Sequence, residues 1–376
     1  MRLGELCQIL DNKRVPITAS NRTAGIYPYY GANGVQDYVD GYIFDDELVL
    51  LAEDGGYFGS KDKPIAYRVS GKCWVNNHAH VLKPKDNINV DYLCYSLMYK
   101  DVTSIVNGAT RQKLTQADMK EIDIPMCPME EQLKIVKQIK QIFTLISLRK
   151  QQLAKLDELV KARFVELFGD PVTNPFGWRK LTVQQAIGEK IIDKPLDGNH
   201  GGKHPKTSDY VPSGIPFIMA NNLVEGKVDL ENCAFISRKQ ADSLDKGFAK
   251  DGDVLITHKG TIGRTAILHC SYPYIMLTPQ VTYYRPKTGI IPAYLKAYFD
   301  TDYFQGIIGN IASVGSTRAY IGITAQQELP LIVPPMEVQK QFATFVEQTD
   351  KSKLAIQQSL DKLETLKKAL MQKYFG

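Results

Sequence analysis

The sequence predicts an α+β protein: two blocks of twisted, largely antiparallel sheet with a few helices, separated by two long helices packed as an antiparallel coiled coil with pseudo-twofold symmetry. Three observations carry this. Residues 128–169 return without a gap as 335–376, so that Pro128, Met129, Glu130 and Gln132 reappear as Pro335, Met336, Glu337 and Gln339, and Phe168-Gly169 as Phe375-Gly376. Both copies place a seam of residues at alternating steps of four and three, the heptad signature. The blocks beside them are built from short β-branched runs with their helices few and late, which is the pattern of an α+β domain.

Taken in chain order, the layout is a first block over 1–127, a long helix over 128–169, a linker and second block over 170–334, and a second long helix over 335–376. Each helix starts behind a proline-rich strand end, Ile124-Pro125-Met126-Cys127-Pro128 and Ile332-Val333-Pro334-Pro335-Met336. Proline presets a helix start and keeps the preceding residue extended. In the first helix the seam is Ile135, Ile139, Ile142, Ile146, Leu153, Leu156 and Val160, interrupted by Arg149 and Arg163. In the second it is Phe342, Val346, Ile356, Leu360, Leu363 and Leu370, with Thr349, Lys353 and Lys367 in the same register. About 40 residues at 1.5 Å each would give a rod of roughly 60 Å, and an apolar stripe that long needs a partner helix. The other copy in the same chain is the simplest partner; dimerisation between two chains is the alternative. Gly169 ends the first helix, and Asp170-Pro171 through Trp178 reads as a linker.

Composition excludes little. The chain has 46 Lys+Arg against 41 Asp+Glu, a formal charge of +5, so a polyanion would have to be met by local patches. Six cysteines at 7, 73, 94, 127, 233 and 270 form no CxxC pair and no tetrahedral Cys/His spacing, as expected for reduced thiols in a cytosolic protein. The N-terminal segment lacks the pattern of a signal peptide, and no run has the length of a membrane span. A cytoplasmic location is expected.

Beneath their different sequences the blocks share a grammar. Asp46 to Gly55 has a counterpart in Asp253 to Gly260, an acidic turn, an apolar strand and a polar glycine loop. Val90-Asp91-Tyr92-Leu93 matches Pro292-Ala293-Tyr294-Leu295, and Gly108-Ala109-Thr110-Arg111 matches Gly315-Ser316-Thr317-Arg318. These segments, with Gly108 to Thr115 leading to Ile124-Pro125-Met126-Cys127-Pro128-Met129-Glu130-Glu131-Gln132, and Thr257 to Arg264, resemble the specificity subunit of type I restriction-modification enzymes over essentially the whole chain. The resemblance implies a non-catalytic subunit with two target recognition domains, each reading half of a bipartite site on double-stranded DNA. It implies helices that set the unread spacer and dock two methyltransferase subunits of an adenine-N6 methyltransferase, joined by two restriction subunits where a nuclease exists. No cofactor is expected in this chain; S-adenosylmethionine, ATP and Mg would belong to its partners.

Catalytic chemistry is sparse. There is no Walker A loop. Asn174-Pro175-Phe176-Gly177 resembles an amino-methyltransferase signature but lacks its second proline and lies in the linker. His78 and His80 alternate along one strand without a third ligand nearby, which fits a polar strand end better than a metal site. The run Thr257 to Arg264 is either a DNA-backbone contact or a hairpin turn. Base reading needs paired donors and acceptors, and phosphates need cations. The candidates in the first block are Tyr29, Tyr30, Asn33, Lys61, Lys63, Asn77, His78, Arg111 and Lys113. In the second they are Lys203, His204, Lys206, Asn221, Asn222, Lys259, Arg264, Arg318 and Tyr320. Arg111 and Arg318 recur at matched places, which suits a phosphate anchor or a structural bond. The alternative of another class is a helix-mediated dimeric scaffold that binds no nucleic acid.

Overall fold

In the computed structural model the described residues are 1–108, 111–313 and 319–376. They form two compact units, Met1–Gln152 with Ile356–Gly376, and Leu153–Ala355.

The first unit holds a six-stranded sheet ordered Cys7–Ile9, Ala79–Pro84, Phe44–Ala52, Ala66–Val75, Ala24–Gly31, Gly34–Val39. Leu48 to Ala52 are fully buried, which explains why that strand reads as a continuous apolar run rather than an alternating one. Helix Val90–Met98 covers the sheet, and its first turn is closed by Asn89, whose side chain accepts from the amides of Asp91 and Tyr92. The second unit holds a five-stranded sheet and a four-stranded sheet. Strand Pro330–Val333, which leads into the second long helix, pairs with Arg179–Thr182. Most pairings are antiparallel as expected. Two are parallel, Ala24–Gly31 with Ala66–Val75 and Ile215–Ile218 with Ile275–Leu277, because long connections bring each second strand back in the same direction.

The long helices run Met129–Phe168 and Met336–Phe375, 40 residues each. In the first unit Tyr374 Oη is 3.0 Å from Gln138 Oε1, and Glu364 pairs with Lys150 at 3.3 Å. Numbering falls on one helix as it rises on the other, so the pairing is antiparallel. In the second unit Phe342 meets Phe164 and Phe168 at 5.7 and 5.4 Å between ring centres, and Lys353 reaches Asp157, again antiparallel. Ile135, Ile139, Ile142, Ile146, Phe342 and Leu360 are buried, whereas Leu153, Leu156, Val160, Val346, Ile356, Leu363 and Leu370 are half-buried. Ile135 and Ile139 join the core of the first block and Phe342 that of the second.

The polar seam positions do not break the packing. Thr349 is buried and donates to Phe345 O at 2.9 Å. Lys367 lays its stem along the seam and holds its ammonium 5.7 Å from the Phe143 ring centre and 5.9 Å from that of Tyr99, beside Glu364. Lys367→Met, which keeps the stem, is expected to shift unfolding free energy by about 1 kcal/mol or less. Lys367→Glu, which faces Glu364, is expected to lower it by more, as read in urea melts.

Each long helix is fastened to its sheet block by the same four hydrogen bonds, three from a glutamine and one from a tyrosine. Gln132 and Gln339 have no exposed surface. Gln132 Oε1 accepts from Asn89 N at 2.8 Å while Nε2 donates to Asn87 O and Cys127 O at 3.2 and 2.9 Å. Gln339 does the same with Ile291 N, Gly289 O and Pro334 O at 2.9, 2.9 and 2.8 Å. Tyr92 Oη donates to Pro125 O and Tyr294 Oη to Ile332 O, at 3.0 and 2.8 Å. The C-terminal end of the opposite helix closes each knot: Phe375 meets Tyr92 edge-on at 5.2 Å, and Phe168 meets Tyr294 at 4.6 Å. The doubled sequence is therefore a doubled set of buried contacts.

Candidate nucleic-acid interface

In the first unit, the loops after strands Ala24–Gly31, Phe44–Ala52 and Ala66–Val75 converge on the segment around Arg111. Asp54 Oδ1 lies 2.7 Å from Arg111 Nη2 and 2.8 Å from His78 Nδ1. Asn33 Nδ2 donates to Gly55 O at 3.0 Å, and Lys113 Nζ is 2.9 Å from Glu53 Oε1. Arg111 and Lys113 keep 60% and 52% of their side-chain surface exposed, so both cations remain available to an outside anion. Lys61 and Lys63 are exposed on the neighbouring loop, Lys63 lying 4.4 Å over the Tyr57 ring, and Asn77 is exposed.

Beneath this rim lies a buried charge network. Glu53 is also held by Arg14 at 2.6 Å, and His80 Nδ1 is 2.6 Å from Asp11 Oδ2 while its Nε2 faces Leu114 O at 2.9 Å. Burial opposes ionisation of Asp11, but hydrogen bonds from His80, Val81 and Gln116 outweigh it and hold the carboxyl below its ordinary 3.8. For Glu53, burial is likewise outweighed by Arg14 and Lys113, which hold it below 4.5. Asp11, Glu53 and His80 bring ligand-type atoms within 4.8 Å of one another. Arg14 pairs with both acids and Lys113 with Glu53, so charge pairing ties the cluster together. Because both folded values are depressed, the stabilisation is complete above the ordinary 3.8 and 4.5 and is lost as pH falls through the lowered folded values. Asp11→Asn is expected to destabilise the protein near neutrality and to flatten this acid limb in melts between about pH 3 and 7.

In the second unit, Thr257 to Arg264 is a hairpin: Val254–Lys259 pairs with Thr261–Ile267, turning at Gly260, whose φ of +79° suits glycine. Gly260 N donates to Ala319 O and Arg264 N to Thr257 Oγ1, so these amides are not free to cradle a phosphate. The Lys259 and Arg264 side chains are exposed. Arg264 stands on the wall of a cavity of about 420 Å³ shared with Lys296 and Asp300, which pair at 2.7 Å. Tyr320 is 43% exposed, its ring 5.7 Å from that of His258. His258 is itself buried, and burial pushes it below the usual imidazole range. Close by, Asp197 is buried; burial would raise its pKa, but bonds from Lys246 and His200 lower it.

Two nominated residues, Tyr29 and Asn222, are corrected. Tyr29 is 1% exposed, its hydroxyl accepts from Ile17 N and its ring lies under Arg22; it belongs to the core. Asn222 is buried, its Oδ1 accepting from Met219 N to close a turn. His204 is half-buried against Phe217, and desolvation keeps it below the usual imidazole range. Tyr30 is half-buried beside Tyr67. Lys203 is exposed but paired with Asp245, and Lys206 and Asn221 are exposed. Arg318 lies outside the described residues. Asn174 forms the linker turn, bonding Trp178 through both ends of its amide, so the signature-like run has a structural use. Sequence reasoning missed Asp54, which gathers Arg111 and His78; an acid beside a glycine carries no distinguishing spacing.

The doubled helices and doubled anchors thus carry two sheet blocks with divergent rims. The chain belongs to the family described as the type I restriction modification DNA specificity domain, whose sequence pattern matches residues 1–158 and 196–367. It is 28% identical over 382 residues to a Haemophilus influenzae protein bearing the name of a type I restriction enzyme specificity subunit, covering 98% of this chain and 94% of that one. The fold is similar to the crystal structure of the type I restriction-modification S subunit from M. genitalium, with a TM-score of 0.63 at 14% identity over 100% and 95% of the two chains. It is also similar to a chain solved in work on complex assembly and conformational transition of the type I R-M system, with a TM-score of 0.57 at 17% identity over 100% and 96%. The protein is a type I specificity subunit, the DNA-recognition and non-catalytic component of such systems. Among the described residues no helix is long and apolar enough to cross a membrane.

Proposed function

We propose that this subunit reads a bipartite site on double-stranded DNA, each sheet block contacting one half and the long helices setting the spacer. The observation that carries the reading is that the buried anchors at Gln132 and Gln339 match bond for bond, whereas the loops above them differ in charge and side-chain type. A shared scaffold with divergent loops is the economy expected of two readers of two sequences. The contacts are assigned to Tyr30, Asn33, Lys61, Lys63, Asn77, His78, Arg111 and Lys113 in one block and Lys203, His204, Lys206, Asn221, Lys259, Arg264, Arg318 and Tyr320 in the other.

The subunit would dock two methyltransferase subunits of an adenine-N6 methyltransferase, and two restriction subunits where a nuclease is present. Those partners would bring S-adenosylmethionine, ATP and Mg. A face of the first long helix suits such docking: Leu133 and Leu145 are 50% and 43% exposed and line a groove with Lys137 and Lys140. In the assembled complex, Arg111→Ala is expected to weaken DNA binding across sequences and to lower the salt slope by about one. An unchanged slope in a folded variant would remove Arg111 from the phosphate contacts.

A further inference from the structure

The two rims can be superposed through the backbone alone. Leu114 N donates to Glu53 O and Ile321 N to His258 O, at 2.7 and 2.9 Å; Gly55 N donates to Gln112 O and Gly260 N to Ala319 O, at 3.4 and 3.0 Å. Between these bonds lies a single isolated bridge in each block, Asp54 with Lys113 and Lys259 with Tyr320. Asp54 and Lys259 therefore hold one structural position, and Lys113 and Tyr320 another.

The side chains at these positions are in opposite states. In the first block they are engaged from within: Asp54 by Arg111 and His78, Lys113 by Glu53. The supporting residue Glu53 is an acid tied to Arg14. In the second block that support is His258, whose ring nitrogens face Ile321 O and Pro279 O at 2.8 and 3.1 Å. The pair above it has no ion pair or hydrogen-bonded side-chain atom among the described residues. Lys259 Nζ stands 5.9 Å from the Tyr320 ring centre, and the ring's other contact is His258. An ammonium and a phenol hydroxyl, carried on fixed backbone and a ring braced by imidazole, are a donor set for base-edge acceptors.

We propose that Lys259 and Tyr320 are the specificity-determining pair of the second block, reading acceptors on the bases of its half-site. The matched positions in the first block, Asp54 and Lys113, are instead paired within its own charge network. This inference rests on the half-site reading above. The test uses the complete subunit assembled with its methyltransferase partner and duplexes carrying single base changes in one half-site or the other. Lys259→Gln and Tyr320→Phe, the latter removing only the hydroxyl, are each expected to cut discrimination at one and the same half-site by tenfold or more. Discrimination at the other half should stay within about twofold. Discrimination unchanged at both halves, or weakened equally at both, in variants shown by thermal melting to be folded, would overturn the assignment. A wild-type complex showing no half-site discrimination at all would instead sink the bipartite reading, and the pair with it.

Discussion

Phe342→Ala is expected to destabilise the second unit by about 3–5 kcal/mol, the usual cost of truncating a fully buried aromatic. Phe342 has no exposed surface, and its ring meets Phe164 and Phe168, of which the first stacks on Tyr294 and the second meets it edge-on. Truncation would open a cavity where the end of one long helix, the start of the other and helix Pro292–Phe299 meet. Phe342→Leu, which refills much of that volume, should cost less than half as much. Urea melts of both variants check the order. A wild-type midpoint for the alanine variant would show that the aromatic knot does not hold the helices to the block.

Gln132→Leu is expected to cost about 2–3 kcal/mol, because it leaves the Asn89 amide and the Asn87 and Cys127 carbonyls without the partner that a fully buried side chain supplies. Gln339→Leu should cost a similar amount through Ile291, Gly289 and Pro334. The control is Gln138→Leu on the exposed side of the same helix, where the one bond to Tyr374 is replaceable by water and the change should stay near 0.5 kcal/mol. Equal effects at Gln132 and Gln138 would mean that the buried amide is not a clamp.

What the sequence made legible follows from which constraints are periodic. The helical period was legible because an α-helix returns to the same face every three or four residues whatever the tertiary context, although of the nominated seam only Ile135, Ile139, Ile142, Ile146, Phe342 and Leu360 are buried. Repetition also exposed the two glutamines, although their bonding partners at Asn87, Asn89, Gly289 and Ile291 lie in another element and leave no local trace. The two parallel pairings were not readable, since strand direction is set by how long connections travel. Nor was the difference between Tyr29 and Tyr30, or between Asn221 and Asn222: neighbours in the sequence look alike, but the backbone buries Tyr29 and Asn222 while Tyr30 stays half-buried and Asn221 exposed. The rim chemistry was the least legible part. Lys113 and Tyr320 become equivalent only once Glu53 and His258 are seen to accept the same backbone bond.

The most direct test of the two-headed reader is co-expression of the chain with a candidate methyltransferase subunit, followed by mapping of N6-methyladenine on the host DNA. The account predicts marks confined to a split motif with two defined halves and a spacer of fixed length. Marks at a continuous motif, or a stable complex that leaves no sequence-specific mark, would contradict it.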